Sequence, residues 1–142
     1  MKLSSILLAA FCFVVLVAVL MLMLGVSVHR VPAQGAKLYN PASEIQLQGT
    51  VVEVKDFACP VSEGEMGSHI MLKTADDITQ VHLAAGRIMR SNKLSFRPGD
   101  KLTVLGSKVE LFGKTDVIAR EIIRGNEDFI LRDHSGNSML VQ

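Results

Sequence analysis

Two histidines and a methionine carry the most suggestive chemistry in this sequence. His69, Met71 and His82 lie on two short runs of alternating polar and apolar residues, His69–Thr74 and Ile78–Leu83. A hairpin turned at Asp76-Asp77 sets Met71 opposite His82, Leu72 opposite Val81 and Ile70 opposite Leu83. Opposed residues in a sheet lie about 5 Å apart at Cβ, and diagonal neighbours about 7–8 Å. Two imidazoles and a thioether within that reach form a soft donor set suited to copper. Met66 and Cys59, in the loop before the hairpin, can add to it. Lys73 and Gln80 share the same face, so His69, Met71, Lys73, Gln80 and His82 make a candidate ligand-binding surface. The spacing matches no established metal motif. Its plain reading is a row of half-exposed sheet residues, with Met71 covering apolar surface.

The elements that must position these residues read as β structure. Glu44–Lys55 alternates, with Ile45, Leu47, Val52 and Val54 as apolar positions and a change of parity around Gly49 that suggests a bulge or tight bend. A polar loop, Phe57–Ser68, precedes the hairpin. The hairpin's other face collects Ile70, Leu72, Val81 and Leu83, the pattern of a sheet with one buried side. Ala84–Asn92 has few β-branched residues and reads as a short helix with Ile88 and Met89 inward. Arg97-Pro-Gly-Asp100 is a strong turn signal. Lys101–Gly106 and Thr115–Ile123 are two further strands joined across Phe112-Gly113-Lys114, and Phe129–Leu131 with Asp133–Gly136 closes the chain as a hairpin-like piece. Three strands, a short helix and two strands match a mainly β fold, a five-stranded OB-type Greek-key barrel with one short helix.

Other candidate groups have plainer roles. Cys59 is flanked by Asp56, Glu63 and Glu65, which oppose a reactive thiolate, so it reads as an ordinary loop thiol. Arg87, Arg90, Lys93 and Arg97 form a basic run around the helix, suited to anionic head groups or to solvent. Arg132 and Asp133 read as a pair bracing the turn at Gly136, beside His134. Gly-x-Ser-x-Gly, His-Glu-x-x-His, Cys-x-x-Cys and a phosphate-binding Gly-rich loop are all missing from the sequence, so no enzyme is expected.

Gly49-Thr-Val-Val-Glu-Val, Gly67-Ser-His-Ile-Met-Leu-Lys-Thr, Val81-His-Leu and Arg97-Pro-Gly-Asp-Lys-Leu-Thr-Val-Leu-Gly-Ser together resemble small exported bacterial OB-fold proteins of uncharacterised function. Ile118-Ala-Arg-Glu-Ile and Leu131-Arg-Asp-His-Ser-Gly are similar to the end of that domain type. An apolar leader, the Leu38-Tyr-Asn-Pro41 lead-in and a His-containing C-terminal segment are also similar to the haem chaperones of cytochrome c maturation. Those hold haem with His-x-x-x-Tyr, whereas here His134 is followed four residues on by Ser138. The likeness implies haem handling, and with the soft donors of the hairpin it gives a rival reading, a haem or copper handling factor using His69, His82 or His134.

The leader sets the expected compartment. No charged residue occurs from Leu3 to Val28, and about 20 helical residues cross a hydrocarbon core. The sequence therefore predicts a single N-terminal transmembrane helix in residues 1–30, an uncleaved anchor in preference to a removed signal, with a tether over 31–43 and an exported domain over 44–142. Residues 3–28 would meet the lipid bilayer, with the bulk of the chain on the periplasmic side. Setting Lys2 and Arg30 aside leaves 13 of the 15 Lys+Arg against 14 Asp+Glu. That balance gives no footprint for nucleic acid. Beyond the leader Cys59 stands without a second cysteine, which excludes a disulfide within the exported part. Taken together the sequence predicts a membrane-anchored exported OB-fold binding or adaptor module with a protein or envelope partner. Its alternatives are a haem or copper handling factor and a structural subunit of a membrane complex.

Overall fold

A computed structural model describes residues 38–140. Within them six strands form: β1 (Glu44–Ala58), β2 (Met66–Lys73), β3 (Ile78–Ala85), β4 (Lys101–Leu111), β5 (Lys114–Arg124) and β6 (Glu127–Ile130). One short helix, α1 (Gly86–Ser91), follows β3. The strands make one sheet in the order β3-β2-β1-β4-β5-β6, and β3 also touches β5 in parallel at Val81–Val117 and His82–Ile118. The expected five-stranded OB-type Greek-key barrel is corrected accordingly. The closing segment supplies a sixth strand, because Glu127–Ile130 returns across a two-residue turn and pairs with Glu121–Arg124.

β1 does the work of two strands. Glu44–Thr50 pairs with β4 and Thr50–Ala58 with β2, so Thr50 marks the exchange of partners. Next to it, Gly49 has no Cβ where one would come within 2.4 Å of the Lys73 carbonyl oxygen. The register with β2 shifts between Val51 and Glu53. That bulge changes which valine faces inward: Val51 is in the core, while Val52 and Val54, expected as apolar positions, are exposed.

The β2–β3 hairpin keeps its expected faces but not its register. Ile70, Leu72, Val81 and Leu83 are all fully buried. The pairs are His69–His82, Ile70–Val81, Met71–Gln80 and Leu72–Thr79, two residues away from those expected. The cause is local: the Thr74 amide donates to the Asp77 carbonyl oxygen at 2.8 Å, and the Thr74 hydroxyl accepts from the Asp77 amide at 3.2 Å. The turn is therefore Thr74–Asp77 rather than one centred on Asp76-Asp77. A two-residue change preserves side-chain direction, since strand periodicity is two. It also brings the two histidines face to face.

Two apolar clusters result. The larger contains Val51, Ile70, Leu72, Val81, Leu83, Leu102, Val104, Val117 and Ile122, capped by Met89 of α1 and by Leu131. The smaller contains Tyr39, Cys59, Val61, Leu111 and Ile118, with Phe57 against it. Among the described residues no helix is long and apolar enough to cross a membrane. The expected transmembrane helix at 3–28 falls outside the described residues.

Candidate metal centre

The smaller cluster is where the chemistry collects. β1 ends at Ala58, and Cys59-Pro60 opens a 3-10 turn over Pro60–Ser62. The loop closes through left-handed backbone at Glu63 and Gly64, and the Ser62 hydroxyl donates to the Glu65 carbonyl oxygen at 2.7 Å. This folds Cys59 back over the hairpin face that carries His69 and His82. The expected loop Phe57–Ser68 is thereby shortened, since its first two and last three residues belong to strands.

The face read as half-exposed is covered. His69 is 1% exposed, His82 2% and Cys59 4%. Cys59 Sγ lies 3.2 Å from His69 Nε2 and 3.6 Å from His82 Nδ1. One donor atom from each residue lies within 4.8 Å of the others. The imidazoles meet edge to face at 4.6 Å, and Phe57 stacks on His69 at 3.8 Å with the rings 10° from parallel. Gly67 leaves room for this: a Cβ there would stand 2.7 Å from Ser62 Oγ and 3.1 Å from His69 Cε1.

Asp116, buried on β5, completes the arrangement. Its Oδ2 is 2.8 Å from His82 Nε2 and accepts the Gln80 side-chain amide at 2.9 Å. A carboxylate at Nε2 orients the ring so that Nδ1 faces the sulfur, the support that metal-bound histidines normally have. Burial pushes the Cys59 thiol up, but the hydrogen bonds from His69, His82 and Ser62 outweigh it and bring it down to about 5. The sulfur is therefore a thiolate at neutral pH, the form that binds metals.

The donors fit an ion. Metal bonds of about 2.3 Å to sulfur and about 2.0–2.1 Å to nitrogen, at a roughly tetrahedral angle, separate S from N by about 3.5 Å. The observed 3.2 and 3.6 Å bracket that span. This Cys/His/His cluster can coordinate a metal ion.

The residues expected at the site divide. His69 and His82 belong to it. Met71, expected as the third ligand, lies opposite Gln80, while Cys59 joins the two histidines. Gln80 acts through Asp116, and Lys73 is exposed at the hairpin end. Cys59 is no plain loop thiol, because imidazoles and a hydroxyl contact its sulfur rather than the neighbouring acids. Met66 is exposed, and Arg87 of the basic run pairs with Glu65 at 3.4 Å. His134 is exposed on the turn held by Asp133, whose carboxylate accepts from the Ser135 and Asn137 amides at 2.8 and 2.9 Å. Arg132 does not pair with Asp133: it is buried and donates to the Ala119 carbonyl oxygen. The sequence reading missed Asp116 altogether.

Fold and site thus define a small β-sheet protein with an enclosed thiolate–imidazole cluster able to hold a metal ion. Residues 43–129 match the MamS/MamX magnetosome protein family, and the chain belongs to it. That membership replaces the resemblance to small exported OB-fold proteins and to haem chaperones. No curated protein matches. Among solved structures, a chain of the S. pombe Stn1-ten1 complex is similar at 15% identity with a TM-score of 0.47, over 59% of this chain and 59% of that one. So loose a likeness has no bearing on function.

Proposed function

We propose that this protein handles a soft metal ion, copper foremost, which it binds through Cys59, His69 and His82. The observation that carries the reading is the convergence of three buried donors, with Asp116 aligning one of them. It displaces the adaptor function expected from the sequence, since the two histidines at the centre of the face offered for docking are buried beside Cys59. Thiolate with imidazole selects Cu(I) or Zn(II) over hard, oxygen-seeking ions, and three donors suit Cu(I) better than the four-coordinate sites of structural zinc. The enclosure of all three donors favours an ion over a macrocycle. The matched family is described as magnetosome proteins, and a metal-binding member is in keeping with such a setting. Binding without turnover, and placement on the extracytoplasmic side of a membrane, belong to the same proposal; the second is supported by the uncharged run Leu3–Val28.

The test is loading of the purified full chain with Cu(I) under reducing conditions, followed by metal analysis and competition with a copper chelator. One Cu(I) per chain is expected, falling to none in Cys59→Ser and in His82→Ala. Equal retention by wild type and both variants would overturn the reading.

A further inference from the structure

The two imidazoles of the cluster are held in different ways. His82 is braced: Asp116 fixes its Nε2 at 2.8 Å, and Gln80 holds Asp116 in turn. His69 has no such brace. Its Nδ1 is buried without a hydrogen-bond partner. When Nε2 binds an ion, the ring proton must sit on Nδ1, where nothing accepts it. Most metal-bound histidines give that proton to a carboxylate, carbonyl or water, and losing such a partner weakens the ligand. What orients the His69 ring is Phe57, stacked on its face. Phe57 is only half-buried and lies opposite Gly67.

Resting on the metal-binding reading, we infer that His69 is the exchanging ligand of the centre and that Phe57 is its latch: the ion enters and leaves as the Phe57–His69 stack opens, while Cys59 and His82 keep hold. Opening the stack lets Nδ1 reach water and so relieves an unpartnered buried atom. The closed state is thus held by packing more than by hydrogen bonds. The arrangement suits a protein that passes its ion on, since a ligand that leaves first opens a position for the acceptor's donor. Phe57 acts through His69 and is a positioning residue.

The experiment compares wild type, Phe57→Ala and Phe57→Leu as full chains. The leucine variant keeps most of the side-chain volume and removes the stacking plane. Two quantities are read: the rate at which an excess of copper chelator withdraws Cu(I) from the loaded protein, and the hydrogen–deuterium exchange of each histidine ring in the metal-free protein. Removing a stacking contact of ordinary strength corresponds to a rate increase of about tenfold. Both variants are expected to bind one Cu(I), release it about tenfold faster and show faster ring exchange at His69 but not at His82. Wild-type rates in both variants, or a speed-up centred on His82, would overturn the latch while leaving the metal site intact. A wild type that binds no Cu(I) overturns the underlying reading instead, and the ring exchange then stands as the measure of whether Phe57 restrains His69.

Discussion

Cys59 shows how far neighbours can override the charge of flanking sequence. Asp56, Glu63 and Glu65 stand near it along the chain, yet the atoms around its sulfur belong to His69, His82 and Ser62, and these lower its pKa from about 8.5 for a free thiol to about 5. A group that ionises more readily folded than unfolded gains stability as pH rises through the window where the unfolded thiol still holds its proton and the folded one does not, and keeps that gain above it. The contribution is complete above about pH 8.5, shrinks as pH falls, and is gone below about 5. In the metal-free protein the ultraviolet thiolate signal should titrate near pH 5, and the stability gap between wild type and Cys59→Ser should narrow on acidification across that window. A thiolate midpoint near the free value would contradict the geometry. Asp116 has a separate effect: Asp116→Asn should leave the fold standing and weaken Cu(I) binding about 10- to 100-fold, the usual result of losing a carboxylate behind a metal-bound histidine. Chelator competition measures it.

At the scale of elements, period-two alternation made the inward face of the β2–β3 hairpin legible, because burial alone decides that parity. The register was not legible, since it depends on how Thr74 closes the turn. Cys59 was hidden for a related reason. Its place over the hairpin comes from a reversal at Pro60–Gly64, and the spacing from Cys59 to His69 to His82 follows no local motif. Asp116 is 34 residues from His82 and reaches it only because β3 and β5 meet in parallel. The β4–β5 turn has a cost of its own. Phe112 and Gly113 both have positive φ, 51° and 74°, and Phe112 is 84% exposed. Two residues with positive φ make a type I′ turn, for which Asn-Gly is the favoured pair, and a bulky residue there is strained. Phe112→Asn should therefore raise unfolding stability by about 1 kcal/mol. Chemical denaturation checks this, and Cu(I) affinity should not move, because the exposed Phe112 side chain is not among the donors or the groups that touch them.

For the whole molecule, the question is what holds the segment before β1 against the sheet. Tyr39 donates its hydroxyl to Glu44, and Arg120 of β5 donates to the same carboxylate oxygen at 2.8 Å. Gly136 packs so closely on Tyr39 that a Cβ would meet the tyrosine Cβ at 2.4 Å. One carboxylate thus ties together the lead-in, the start of β1 and the middle of β5, while the C-terminal turn closes over the tyrosine. The Tyr39 hydrogen bond, followed by Arg120, holds the Glu44 carboxyl below its ordinary range and outweighs the opposing effect of burial. Because its folded pKa is the lower one, Glu44 supports the fold fully above the unfolded value of about 4.3 and loses that support as pH drops through the folded value. Glu44→Gln keeps the shape and removes the charge that Arg120 needs. At neutral pH it should cost about 2 kcal/mol, less than the loss of one partner from a fully buried ion pair. The difference from wild type should shrink as pH falls below the unfolded value and on through the lower folded one. Urea denaturation of both proteins at neutral and acid pH tests this. A deficit that persists unchanged in acid would mean that packing around Tyr39, and not the carboxylate, holds the lead-in.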